Sequence, residues 1–236
     1  MSETHKGLSR LKALLVHVFT ATGVVFGFLA LLSAVNNNFP ACIFWLAFAL
    51  FVDGFDGTLA RRYKVDKYTP NIDGAVLDNI IDFFTYVIVP VFMIYNFNFL
   101  SSTFALPISC LILLVSCFTF INKDLKTDDY YFTGFPALWN ILVLYLYILD
   151  TSQLTNLITI LFLCIMTFIP VKFVHPLRVV NLRKTSLVMT LLWCITTVYI
   201  LFSGFENQVV FYTWCLINLY FLYSTMHRTF FSKKLD

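Results

Sequence analysis

Between Asp53 and Asp82 the chain reads DGFDGTLARRYKVDKYTPNIDGAVLDNIID, with six aspartates in a protein of 236 residues that has 13 acidic side chains in all. Four of the six recur at helical spacing. Asp53 and Asp56 are three apart and Asp78 and Asp82 four apart, so each pair shares one face of a helix. The short connection 62–73 would make the two helices antiparallel neighbours and bring both pairs to one depth. Asp53 stands eight residues before Arg61, which is ~12 Å below the helix end at ~1.5 Å per residue. A carboxylate that deep in a bilayer costs roughly 2.5–3.5 kcal/mol on insertion scales, its stem is too short to snorkel far, and four together repel one another. No Lys or Arg occupies either helix at that depth, so the balancing charge is best supplied by a divalent metal or a pair of them. Oxygen ligands without His or Cys suit Mg²⁺, Mn²⁺ or Ca²⁺ better than zinc. Asp66 and Asp73 fall in the connection and read as solvated interfacial charges.

The residues around these acids suit a phosphate ligand. Gly57, Ala60 and Gly74 flank them with minimal side chains, which lets a ligand approach the backbone closely. Arg61 follows at the membrane boundary, where a guanidinium can fork onto a phosphate. Metals with an arginine clamp stabilise charge moving across a phosphoryl group. This chemistry predicts metal-assisted phosphoryl transfer at a membrane face.

The elements that must hold these residues are membrane helices. The chain is 59% hydrophobic and 12% charged, with mean hydropathy +0.81, against about a quarter charged in soluble domains. A spanning helix needs about 20 apolar residues. Eight segments meet this loosely, at 13–34, 39–60, 75–97, 103–121, 136–149, 155–173, 186–203 and 208–226, the fifth being short and taking Tyr130–Phe135 as an oblique entry. The expected fold is therefore all-α: a polytopic bundle of about eight transmembrane helices.

Charge partition orients it. With a cytoplasmic N-terminus, alternate connections hold Lys6, Arg10 and Lys12; Arg61, Arg62, Lys64 and Lys67; Lys123 and Lys126; Lys172, Arg178, Arg183 and Lys184; and Arg228, Lys233 and Lys234, which are all 16 basic residues. The opposite connections hold none, so both termini are expected to be cytoplasmic. The net charge of +3 then describes a basic cytoplasmic face favouring anionic lipid headgroups rather than nucleic acid.

Six cysteines, Cys42, Cys110, Cys117, Cys164, Cys194 and Cys215, all lie in apolar spans without a CxxC pair and read as packing residues. The first span is too long for a signal-peptide core and lacks a cleavage site, so it counts as the first helix. Its Gly23-Val-Val-Phe-Gly27 is a close-packing motif that favours internal helix contact over dimerisation. Without linker, low-complexity tract or repeat, residues 1–236 read as one integral membrane catalytic domain.

Taken together, Asp53, Asp56, Gly57, Ala60, Arg61, Gly74, Asp78 and Asp82 form D-x2-D-G-x2-A-R-x12-G-x3-D-x3-D, which closely resembles the signature of the CDP-alcohol phosphatidyltransferase family. Most members have a shorter gap between the arginine and the second glycine. The twelve residues found here, with HVFTATG (17–23), IDGAVLDNIIDFFTYVIVPVF (72–92), KTDDYYFTGFPALWN (126–140) and FIPVKFVHPLRV (168–179), resemble the bacterial phosphatidylcholine synthase branch. The resemblance implies that the hydroxyl of choline attacks the lipid-side phosphorus of CDP-diacylglycerol, giving phosphatidylcholine and CMP in the bacterial inner membrane at its cytoplasmic face. It also implies that Asp53, Asp56, Asp78 and Asp82 hold Mn²⁺ or Mg²⁺, as two ions, and that Asp82 is the general base. Gly57, Ala60, Arg61 and Gly74 would line the CDP site. Many members dimerise, so a homodimer is an expectation by resemblance, although no polar seam demands one.

The acceptor is less sharply specified. Aromatic faces and carboxylates hold a quaternary ammonium, and Tyr86, Tyr130, Tyr131 and Trp139 are candidates beside Asp128 and Asp129, although each aromatic reads first as structural. Arg178, in the run KFVHPLR, is either a topological anchor or a contact to the lipid-side phosphate. His17 reads as a packed, hydrogen-bonded histidine. Two alternatives stand beside the choline reading: another acceptor (glycerol phosphate, serine or an inositol derivative), and a cation or proton transporter using the aspartates as a relay. Neither inverted repeats nor interrupted midplane helices support the transporter.

Overall fold

The structure, a computed structural model, describes residues 3–122, 131–174 and 183–230. The fold is helical throughout apart from one small ribbon. In chain order the elements are α1 (Glu3–Val35), α2 (Phe39–Tyr63), α3 (Val65–Tyr68), α4 (Gly74–Asp82), a π-helical segment (Phe83–Ile88), α5 (Val89–Asn96), α6 (Ser102–Ile121), β1 (Tyr131–Thr133), α7 (Trp139–Ile148), α8 (Gln153–Met166), β2 (Lys172–Val174), α9 (Arg183–Ser203) and α10 (Gln208–Phe230). Among the described residues six helical stretches are long and apolar enough to cross a membrane: Gly7–Val35, Phe39–Tyr63, Gly74–Asn96, Ser102–Ile121, Lys184–Ser203 and Gln208–Met226. Trp139–Ile148 and Gln153–Met166 are apolar but shorter. Each of the eight expected segments thus contains a helix, and the protein is an integral membrane protein.

Two expectations change in detail. Tyr131–Thr133 is not an oblique helical entry but a strand, paired antiparallel with β2 in the register Tyr131↔Val174, Phe132↔Phe173 and Thr133↔Lys172. The span expected over 155–173 leaves the helix after Met166, as Pro170 explains, because proline disfavours helical geometry at the residue before it and lacks an N–H of its own. The backbone at Gly134 has φ +83°, and a Cβ there would stand 2.3 Å from the Thr167 carbonyl oxygen, so only glycine fits this turn.

The chain forms two compact units, Met1–Leu113 with Trp139–Leu144, and Leu114–Leu138 with Tyr145–Asp236. Of the three borders, 113/114 falls inside α6, 144/145 inside α7 and 138/139 at the start of α7. In the second unit the Trp193 Nε1–H donates to the Tyr145 hydroxyl at 3.0 Å, which donates to Asn218 Oδ1, and Trp214 Nε1–H donates to Thr197 Oγ1 at 2.9 Å. Such pairing is what polar groups between membrane helices require.

The first unit carries the acidic stretch, and its turns are explained locally. Asn38 Oδ1 accepts from Ala41 N–H at 3.1 Å to cap α2. At the other end Lys64 takes the left-handed conformation (φ 51°) and returns its N–H to the Ala60 and Arg61 carbonyls. Asp73 is more than a solvated charge: its Oδ1 accepts from Ala75 and Val76 N–H at 3.0 and 3.1 Å and caps α4. The Gly23/Gly27 motif packs internally. A Cβ on Gly23 would lie 2.8 Å from Ile81 Cγ2, and one on Gly27 2.8 Å from the Phe84 ring and 2.9 Å from Thr85 Cγ2. These two glycines let α1 lie directly against the helix that bears Asp78 and Asp82.

Candidate active site

Helices α2 and α4 present their acids to one another. Asp53 from α2 and Asp78 and Asp82 from α4, all half-buried, bring one carboxylate oxygen each to within 4.8 Å of the others. Three hard oxygen donors at that separation fit a divalent cation of the Mg²⁺ or Mn²⁺ type. Asp56 is buried on the next turn of α2 and is not part of this group of three. The reason is angular: at 3.6 residues per turn a three-residue step falls about 60° short of a full turn, so Asp56 leaves the helix to one side of Asp53.

The glycines and the arginine separate by what they touch. Among the described residues and outside its own helix backbone, the one atom within 4 Å of a Cβ on Gly57 would be Arg61 Nη1 at 3.5 Å. Among the described residues, packing therefore does not demand glycine here. Arg61 is exposed and folds back along α2, its Nη2 donating to Thr58 Oγ1 at 3.3 Å. The guanidinium thereby lies over Gly57, on the turn next to Asp56 and Asp53. Ala60 is half-buried and packs around the small cluster of Ala13, Val16 and Val65.

Gly74 has a neighbour within the protein as well. A Cβ on it would stand 3.3 Å from His17 Cε1, so its smallness admits the His17 ring of α1 at the start of α4. The His17 ring is buried, and Nε2 lies 3.0 Å from Thr69 Oγ1. Because the Thr69 hydroxyl donates to the Val65 carbonyl at 3.0 Å, Nε2 carries the proton and donates to Thr69. His17 is thus the hydrogen-bonded packing residue expected, and it ties the connection 62–73 to α1.

Of the candidate substrate contacts, Trp139 is wholly buried at the start of α7, a position of core packing rather than an open aromatic face. Tyr86, also buried, points its hydroxyl at the acid cluster and donates to Asp53 Oδ2 at 2.6 Å. The sequence marks this tyrosine as structural first and as a possible substrate contact second; its partner Asp53, on another helix, is not legible from local spacing. Arg178, Tyr130, Asp128 and Asp129 lie outside the described residues, and Tyr131 lies in β1.

Comparison with known proteins identifies the family. The profile of the family described as CDP-alcohol phosphatidyltransferase matches residues 13–171. The chain is 44% identical over 190 residues to a phosphatidylcholine synthase of Pseudomonas aeruginosa, covering 80% of each chain. It is 38% identical over 205 residues to a phosphatidylcholine synthase of Borreliella burgdorferi, covering 87% of this chain and 88% of the relative. A third such synthase, from Mesorhizobium japonicum, is 39% identical over 183 residues, covering 78% of this chain and 68% of the relative. With its signature residues gathered on two neighbouring helices and the match running through most of its length, the chain belongs to the CDP-alcohol phosphatidyltransferase family.

Proposed function

We propose that this transferase moves the phosphatidyl group of CDP-diacylglycerol to choline, forming phosphatidylcholine and CMP, from a site facing the cytoplasm of a bacterial inner membrane with both chain termini on that side. The observation that carries the chemistry is the convergence of Asp53, Asp78 and Asp82 beside Gly57 and Arg61. The acceptor is supported by the relatives, whose printed name is phosphatidylcholine synthase.

In this reading Asp53, Asp78 and Asp82, with Asp56 alongside, hold two Mn²⁺ or Mg²⁺ ions. When bound, the ions neutralise charge on the diphosphate. Arg61 forks onto a phosphate oxygen beside Gly57. Asp82 accepts the proton of the choline hydroxyl as its oxygen bonds to the lipid-side phosphorus. The bond from that phosphorus to the oxygen bridging the two phosphates then breaks, and CMP leaves with the electron pair. Ala60 and Gly74 shape the same wall, Gly74 by admitting His17.

Expression in a bacterium that makes no phosphatidylcholine tests the acceptor. Phosphatidylcholine is expected to accumulate only when choline is supplied in the medium. If the membranes gain a different phospholipid instead, and gain it whether or not choline is present, the acceptor is not choline.

A further inference from the structure

The contact between Tyr86 and Asp53 joins two membrane helices, and the backbone around Tyr86 is built in an uncommon way to make it. Residues Phe83–Ile88 are π-helical, and the Val89 N–H donates to the Phe84 carbonyl five residues back. Pro90 explains the widening: it has no N–H for the Tyr86 carbonyl, and its ring crowds that carbonyl in a regular α-helix. The widening also sets direction. Asp78, Asp82 and Tyr86 are spaced by four residues each, and every such step in an α-helix advances about 40°. Wider π turns rotate less per residue, so Tyr86 stays on the acid face instead of drifting past it. Its ring is buried, and the hydroxyl reaches Asp53 Oδ2 at 2.6 Å.

We infer that Tyr86 is a positioning residue for the metal centre: its hydroxyl fixes one oxygen of Asp53, so that the carboxylate stays turned toward Asp78 and Asp82. The terminal torsion of aspartate is broad, so a donor held on one oxygen narrows the orientations the carboxylate takes. Hydrogen-bond partners of metal-binding carboxylates hold ligand orientation, and losing one weakens metal affinity about 10–100-fold. A phenol suits the task in a membrane interior because it donates without adding charge. The inference rests on the metal reading of the aspartates proposed above.

Direct Mn²⁺ binding to the detergent-purified full chain, followed by electron paramagnetic resonance without substrates, tests it. The native protein is expected to bind Mn²⁺ saturably, and Tyr86→Phe to bind it at least about 10-fold more weakly at an unchanged thermal transition. Activity of Tyr86→Phe is expected to recover as Mn²⁺ is raised, with the KM for choline and for CDP-diacylglycerol unchanged. Should Tyr86→Phe fail to give monodisperse protein, Tyr86→Met, which fills the space without a hydroxyl, carries the same expectation. Mn²⁺ binding equal to native in the variant overturns the inference. A raised choline KM with native metal binding does so too, and makes Tyr86 a substrate contact. If the native protein binds no Mn²⁺, the metal reading itself fails and this inference falls with it.

Discussion

Replacing Asp82 with asparagine is expected to lower CMP release by about a thousandfold or more. The side chain has two proposed tasks, and the substitution removes both while keeping shape. As a base it would accept the choline proton, a role worth typically 10²–10⁴-fold in turnover. As one of three carboxylates within 4.8 Å it also supplies charge to the metal centre. Asparagine keeps the volume of aspartate and sits at the end of α4, where no cap depends on its charge. The thermal transition should therefore move little while turnover collapses. Asp66, exposed in the first turn of α3, is the matched control, and Asp66→Asn is expected to retain native turnover. Native turnover in Asp82→Asn would remove this residue as the base.

Stripping divalent metal with a chelator is expected to abolish turnover, and added Mn²⁺ or Mg²⁺ to restore it. The physical ground is charge: Asp53, Asp78 and Asp82 approach one another inside an apolar helical bundle, and a cation bound among them would relieve their mutual repulsion. The same linkage predicts a stability signal independent of catalysis. Ligand at 100 times its dissociation constant stabilises the folded state by about 2.7 kcal/mol, so Mn²⁺ should raise the thermal transition of the chelated protein. Asp78→Asn should blunt that rise. A chelated protein with full turnover, or with no thermal response to either ion, would contradict the metal reading.

The site was more legible in the sequence than the scaffold that adjusts it. Asp53, Asp78 and Asp82 stood out because carboxylates in an apolar chain demand compensation, and their spacing of three and four residues fixed the faces they share. Asp56 met the same spacing rule but falls outside the group of three, since sharing a helix face still leaves an angular offset that matters at the scale of a carboxylate. Gly23 and Gly27 read as a contact surface and pack as one, whereas the approach of His17 to Gly74 was not legible. No local signal distinguishes those cases, because the neighbour that needs the space comes from elsewhere in the chain. The π-helical widening over Phe83–Ile88 was not expected, since a proline such as Pro90 is compatible with either a kink or a widening and only the backbone hydrogen bond from Val89 to Phe84 separates them. The β1–β2 ribbon was missed because its three-residue strands are specified by pairing across the chain.

The twelve residues between Arg61 and Gly74 gain a physical role in the structure. One turn of helix, Val65–Tyr68, places Val65 against Ala13 and Val16 of α1, and Thr69 takes the His17 hydrogen bond. The segment thus clasps α1 beside the start of α4, next to the acids.

The central claim is the transfer of a phosphatidyl group to choline. Detergent-purified protein supplied with CDP-diacylglycerol, Mn²⁺ and methyl-labelled choline should yield one labelled phosphatidylcholine for each CMP released. Glycerol phosphate, serine and inositol phosphate in place of choline should release none above background. CMP formation with one of those alcohols and no labelled lipid from choline would contradict the account.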